Sequence, residues 1–117
     1  MLRVYAYKNC DTCRRALKFL RERGVAHQEV PIRETPPSKT ELRAMLAAHD
    51  GDLRRLFNTA GGDYRAMDLK NRLPKLAPGE AIDLLAAHGN LVKRPFVIGP
   101  GVALVGFDPE EWSRMLD

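Results

Sequence analysis

Cysteine is scarce in this sequence, with two residues among 117, at positions 10 and 13. Two sulfurs close one bridge at most, so the chain is not a disulfide-stapled scaffold and must be held by an apolar core. Aromatic residues are few, at 7% with a single Trp, which leaves aliphatic side chains to fill most of the interior. No apolar run approaches 18 residues and no basic-then-apolar leader opens the chain, so neither a membrane span nor a secretory signal is expected. Charge of one sign is not concentrated either. The formal balance is +4, with Arg and Lys interspersed among acids, which describes a solvated surface better than a nucleic-acid footprint. Direct nucleic-acid binding is not expected.

What remains is the composition of an ordinary soluble domain, 44% hydrophobic and 29% charged, at a length that suits one domain spanning 1–117. A cytoplasmic location is expected. Thiols are kept reduced there, so a close Cys pair points to catalysis, redox sensing or metal binding rather than to a structural staple.

Leu2 to Tyr7 alternates like a strand, and residues 11 to 23 then change period. Cys13, Ala16, Leu17 and Leu20 fall on one helical stripe that Gly24 ends. Val25 to Ile32 reads as a second strand running into a proline-bearing edge. Ser38 to Glu41 is a capping box for a helix ending by Gly51, and short helices are expected around the Asn58–Asp63 link. Glu80 to His88 reads as a helix, and Phe96 to Ile98 with Val102 to Val105 as an antiparallel hairpin. A final helix is signed by Asp108 as cap, Pro109 at its first position, Glu111 completing a box, and Phe107 placed to staple onto Trp112. The order predicts an α/β, thioredoxin-like fold, β-α-β followed by α-β-β-α with a mixed sheet, and a helical insertion at about 38–76.

Cys10 stands where the first helix begins. Unpaired backbone N–H groups and the helix dipole favour an anion there, and Lys8, Arg14 and Arg15 add positive charge. Cys10 is therefore the candidate nucleophile, and Cys13, one turn later on the inward stripe, the resolving thiol. Two other readings stand beside this one. A structural zinc would need further ligands, but no other Cys exists and His27, His49 and His88 are isolated. Two inert buried thiols would simply pack as small hydrophobes. In a thioredoxin-like layer the segment Lys93-Arg94-Pro95 precedes a buried strand and faces the first helix, which puts Arg94 over the Cys10 sulfur and permits a cis bond at Pro95. Lys8, Asn9, Thr12, Arg14 and Pro95 are the candidate substrate-binding residues around this point, and no metal ligand set is expected.

The segments Lys8-Asn-Cys-Asp-Thr-Cys13, Phe57-Asn-Thr-Ala-Gly61, Tyr64-Arg-Ala-Met-Asp-Leu69, Leu91-Val-Lys-Arg-Pro95 and Val105-Gly-Phe-Asp-Pro-Glu-Glu-Trp112 together resemble the arsenate reductase-like family, which includes ArsC, Spx, MgsR and YffB. The resemblance covers nearly the whole chain; the segments Lys8-Asn-Cys-Asp-Thr12 and Val105-Gly-Phe-Asp-Pro-Glu-Glu-Trp112 most resemble the YffB branch, and the C-x-x-C the Spx and MgsR branch. It implies a thioredoxin-like fold with a helical insertion, a nucleophile at Cys10, and Arg94 before a cis Pro95. Members that reduce arsenate use one Cys and three arginines, of which only Arg94 has a clear counterpart here. Ala60 and Gly106-Phe107 stand at the other two places, which argues against arsenate as the substrate. The resemblance then implies a thiol reductase with a small thiol or oxyanion substrate, no bound cofactor, and glutathione, glutaredoxin or thioredoxin as its redox partner. The alternative it implies is a redox-sensing regulator that binds RNA polymerase.

Overall fold

Strand β1 (Leu2–Ala6) is the axis of the molecule: alternation sends Leu2, Val4 and Ala6 to one face of the sheet and Tyr5 to the other. The computed structural model describes residues 1–116. In it β1 pairs in parallel with β2 (His27–Pro31) and antiparallel with β3 (Phe96–Gly99), which pairs in turn with β4 (Val102–Val105). The four-stranded mixed sheet has the order β2-β1-β3-β4, the α/β thioredoxin-like arrangement expected from the sequence. Pro31 falls on edge strand β2, where its missing N–H costs no ladder bond.

Helix α1 (Asp11–Glu22) crosses from β1 to β2 and buries Cys13, Ala16, Leu17, Phe19 and Leu20 against the first face. The chain leaves it through Gly24 at φ +65°, a conformation that suits glycine. The last helix, α6 (Pro109–Leu116), lies on the same side and contributes Trp112. Asp108 caps it by accepting the Glu110 N–H at 3.1 Å. The Trp112 ring meets Phe107 at 4.9 Å and Phe19 at 5.9 Å, both edge-on, and such pairs add about 0.5–1.5 kcal/mol each beyond the area they bury.

The second face carries α2 (Lys39–Ala48), two short helices α3 (Gly62–Ala66) and α4 (Leu69–Arg72), and α5 (Pro78–Ala87). Both bonds of the Ser38/Glu41 capping box form. Glu41 also accepts a 2.7 Å bond from the Tyr5 hydroxyl and lies 3.1 Å from Arg3, tying α2 to β1. Gly89 rests directly on the Ile32 carbonyl, where a Cβ would come within 1.9 Å, so the chain leaving β2 is pinned by backbone contact. Residues 56–58 run beside 91–93, with the Asn58 N–H bonded to the Leu91 carbonyl at 2.7 Å and the Lys93 N–H to the Leu56 carbonyl at 2.8 Å. This short ladder holds the Lys93-Arg94-Pro95 segment at the end of the sheet where α1 begins. Among the described residues no helix is long and apolar enough to cross a membrane.

Candidate active site

Cys10 is the N-cap of α1, with extended backbone at φ −99° and ψ 113°. Its sulfur accepts the Cys13 N–H at 3.2 Å, and its carbonyl accepts the Arg14 N–H. The Cys10 N–H is itself held by the Tyr7 carbonyl at 3.1 Å, so the loop from strand to helix is closed by the backbone. A sulfur placed this way sits at the positive end of a three-turn helix. Cys10 is partly exposed and Cys13 fully buried; both are free thiols.

The environment of Cys13 keeps it protonated. Burial pushes its thiol up to about 12, and a hydrogen bond to the Cys10 sulfur adds to this, while a Tyr7 backbone bond and the charge of Arg94 pull the other way. The two sulfurs are thus within hydrogen-bonding reach, and Arg94 acts electrostatically on Cys13. Arg94 is half-buried behind a cis bond to Pro95, its Nη1 is buried without a hydrogen-bond partner, and its guanidinium carbon lies 5.1 Å from the centre of the Tyr7 ring. A buried guanidinium donor with nothing to bind is costly unless an anion completes it.

The other candidate residues divide. Asn9 donates to the Tyr7 hydroxyl at 3.1 Å, and Lys8 is exposed with its carbonyl accepting from Arg14 Nη1. Arg14 is further drawn to Asp11 at 3.6 Å, and Arg15 turns away to stand over the Phe107 ring at 5.6 Å. Thr12 is half-buried and makes no side-chain bond to another described residue. Pro95 is buried, and its carbonyl takes the Gly106 N–H at 2.9 Å. Arg33, which the sequence did not single out, donates to the Tyr7 hydroxyl at 2.9 Å. It lies just beyond β2, 26 residues from its partner, and only the parallel pairing of β1 with β2 brings the two together. Ala60 and Gly106 bring no cation; the Ala60 carbonyl binds Arg65 instead. Among the described residues no three His, Cys, Asp or Glu side chains are grouped to hold a metal.

Sheet, first helix and paired cysteines define a thioredoxin-like protein with a C-x-x-C at the start of α1. The chain belongs to the ArsC family, whose model matches residues 5–115. It is 40% identical over 113 residues to the uncharacterized protein YusI of Bacillus subtilis, covering 97% of this chain and 96% of that one. It is 31% identical over 97 residues to an arsenate reductase of Rhizobium meliloti, covering 83% and 68%. Among solved structures, an ArsC family related protein from Bacteroides fragilis superposes with a TM-score of 0.91 at 36% identity, covering 97% of this chain and 96% of that one.

Proposed function

We propose that this protein is a thiol–disulfide oxidoreductase in which Cys10 attacks and Cys13 resolves. The observation that carries the reading is the Cys10 sulfur at the helix N-terminus, bonded to the Cys13 N–H, with the buried Cys13 thiol beside it. The Cys10 thiolate attacks one sulfur of a substrate disulfide, forming a mixed disulfide and expelling the other half as a thiolate that takes up a proton. Once Cys10 carries no charge, its part in raising the Cys13 thiol disappears, and burial is left opposed by the Tyr7 backbone bond and the charge of Arg94. Cys13 then loses its proton, attacks the Cys10 sulfur and expels the second half. The substrate has gained two electrons and two protons, and the protein holds a Cys10–Cys13 disulfide. Two glutathiones, or the dithiol of a glutaredoxin, return it to the dithiol.

Arg94 supplies charge beside the Cys13 thiol, and the absence of cations at Ala60 and Gly106 supports a disulfide over arsenate as substrate. The test is turnover of a small disulfide by the whole protein with glutathione, recycled by glutathione reductase and followed as NADPH consumption. Cys10-dependent turnover is expected. A protein that cycles between dithiol and disulfide without turnover, yet captures RNA polymerase in only one redox state, is instead a regulator.

A further inference from the structure

Tyr7 and Arg33 leave the ends of two paired parallel strands side by side. Ala6 is opposite Pro31 in the register, and the Ile32 N–H bonds the Ala6 carbonyl at 3.0 Å, so the next side chains emerge together at the carboxyl end of the sheet. That end is where open α/β layers bind their ligands. The Tyr7 hydroxyl accepts two bonds, from Arg33 Nη1 at 2.9 Å and Asn9 Nδ2 at 3.1 Å. A phenolic oxygen has two lone pairs, and both are taken, so its proton is left to be donated outward. The bond from Asn9 is opposed by burial, but the bond and charge of Arg33 and the charge of Lys8 add to it and together draw the hydroxyl below its ordinary value, making it a better donor.

Arg33 and Arg94 lie with their guanidinium carbons 4.8 and 5.1 Å from the same Tyr7 ring, and among the described residues neither has a carboxylate within ion-pair distance. Two guanidiniums without a carboxylate partner therefore flank Tyr7, whose phenol O–H is left to donate. Alongside is a cleft of about 320 Å³ floored by Ala6, Leu17 and Val30, with Lys8 and Glu29 at its rim. We propose that Arg33, Arg94 and the Tyr7 hydroxyl form a carboxylate subsite beside Cys10, which anchors a peptide-like thiol or disulfide whose body lies in that cleft. Planar guanidiniums fit a carboxylate through paired N–H bonds, and an anionic sulfur compound is held with its sulfur at the helix start. The identity of the ligand as a sulfur compound rests on the exchange reading above; the carboxylate recognition does not.

The test therefore uses a ligand that cannot exchange. S-methylglutathione is titrated into the reduced protein by calorimetry or by amide shifts, for the wild type, Arg33→Ala, Arg33→Lys and Tyr7→Phe, with the diethyl ester of the same compound as the neutral probe. The expected result is wild-type binding weakened about tenfold or more in Arg33→Ala, partly restored in Arg33→Lys, and far weaker for the ester in every protein. Absence of wild-type binding, equal affinity in Arg33→Ala, or equal affinity for the ester overturns the subsite. A second reading compares Cys10 with an anionic and a neutral aromatic disulfide. The anionic-to-neutral rate ratio should fall about tenfold in Arg33→Ala, whereas a common fall in both rates makes Arg33 only a prop for the loop and overturns the proposal. Arg33-dependent binding without turnover would leave the subsite standing and remove the oxidoreductase reading alone.

Discussion

The two ends of the sheet offer opposite kinds of surface. At the carboxyl end of β1 the openings are small, but backbone N–H groups, a sulfur and several cations converge there. At the other end, between the C-terminus of α2, the β3–β4 hairpin and α6, lies a cleft of about 600 Å³ that contains no cysteine. Its one buried polar feature is His49, whose Nε2 has no partner. The larger hole is thus the poorer candidate, because reaction needs a nucleophile and groups that stabilise charge, and volume supplies neither. The sharpest way to break this comparison is to damage each end separately. Cys10→Ser should abolish disulfide exchange, whereas Ala44→Arg, which crowds the far cleft from an exposed position on α2, should leave the rate within about twofold. Stopped-flow reaction with a chromogenic disulfide reads both, and a large loss in Ala44→Arg would move the site.

Within the cysteine end, the two thiols should separate just as clearly. A thiol pushed up to about 12 is ionised to only about one part in 10⁴ at pH 8, so a short pulse of alkylating reagent should label Cys10 and spare Cys13. Peptide mass mapping that finds Cys13 labelled first would reverse the assignment. Cys13→Ala should then trap the mixed disulfide on Cys10 and slow its release about 10²-fold, since the intramolecular attack is lost. Mass spectrometry of the quenched reaction checks this; unchanged release would remove Cys13 from the mechanism.

Arg94 should matter less than either sulfur. Removing one charge-assisted contact, at about 1.5 kcal/mol or more, slows exchange roughly tenfold in Arg94→Ala, with Arg94→Lys recovering part of it. The thermal midpoint should stay level or rise slightly, because Nη1 is buried unpaired and its loss strands no partner. A drop in stability with no change in the pH profile of alkylation would make Arg94 a packing residue.

Local chemistry in the sequence foretold much of this arrangement. The capping box at Ser38 and Glu41, the Asp108 cap, the Phe107–Trp112 contact and the helix start at Cys10 each depend on residues within a few positions, and each formed. Element ends were less legible. β2 runs His27–Pro31 rather than from Val25, because the Val25 N–H is used to close α1 on the Leu20 carbonyl, and α5 begins at Pro78 rather than Glu80. Long-range polar pairs were not legible at all. Arg33 with Tyr7 and Tyr5 with Glu41 are 26 and 36 residues apart, and no periodicity encodes which side chains a strand register will bring together.

The smallest effect should come from the second of those pairs, far from the sulfurs, and it tests whether fold and site can be titrated apart. The Tyr5–Glu41 bond needs a protonated phenol and an ionised carboxylate. Burial pushes the Glu41 carboxyl up, but bonds from Ser38 and Tyr5 and the Arg3 charge together hold it below the usual carboxylate range. A lowered carboxylate contributes stability that is present above its unfolded value and is lost as pH falls through the folded one. Burial, then the bond to Glu41 and its charge, raise Tyr5 to about 12, and a raised group contributes below its unfolded value of 10.0 and loses that contribution as pH climbs toward 12. The same bond is therefore undone by acid through Glu41 and by base through Tyr5. Tyr5→Phe should cost about 1 kcal/mol near neutrality and flatten both edges of the stability–pH curve, while Cys10 exchange at pH 7 remains at its wild-type rate. Thermal melts from pH 3 to 11 on both proteins decide it, and parallel curves at both extremes would show that the pair is not linked to folding.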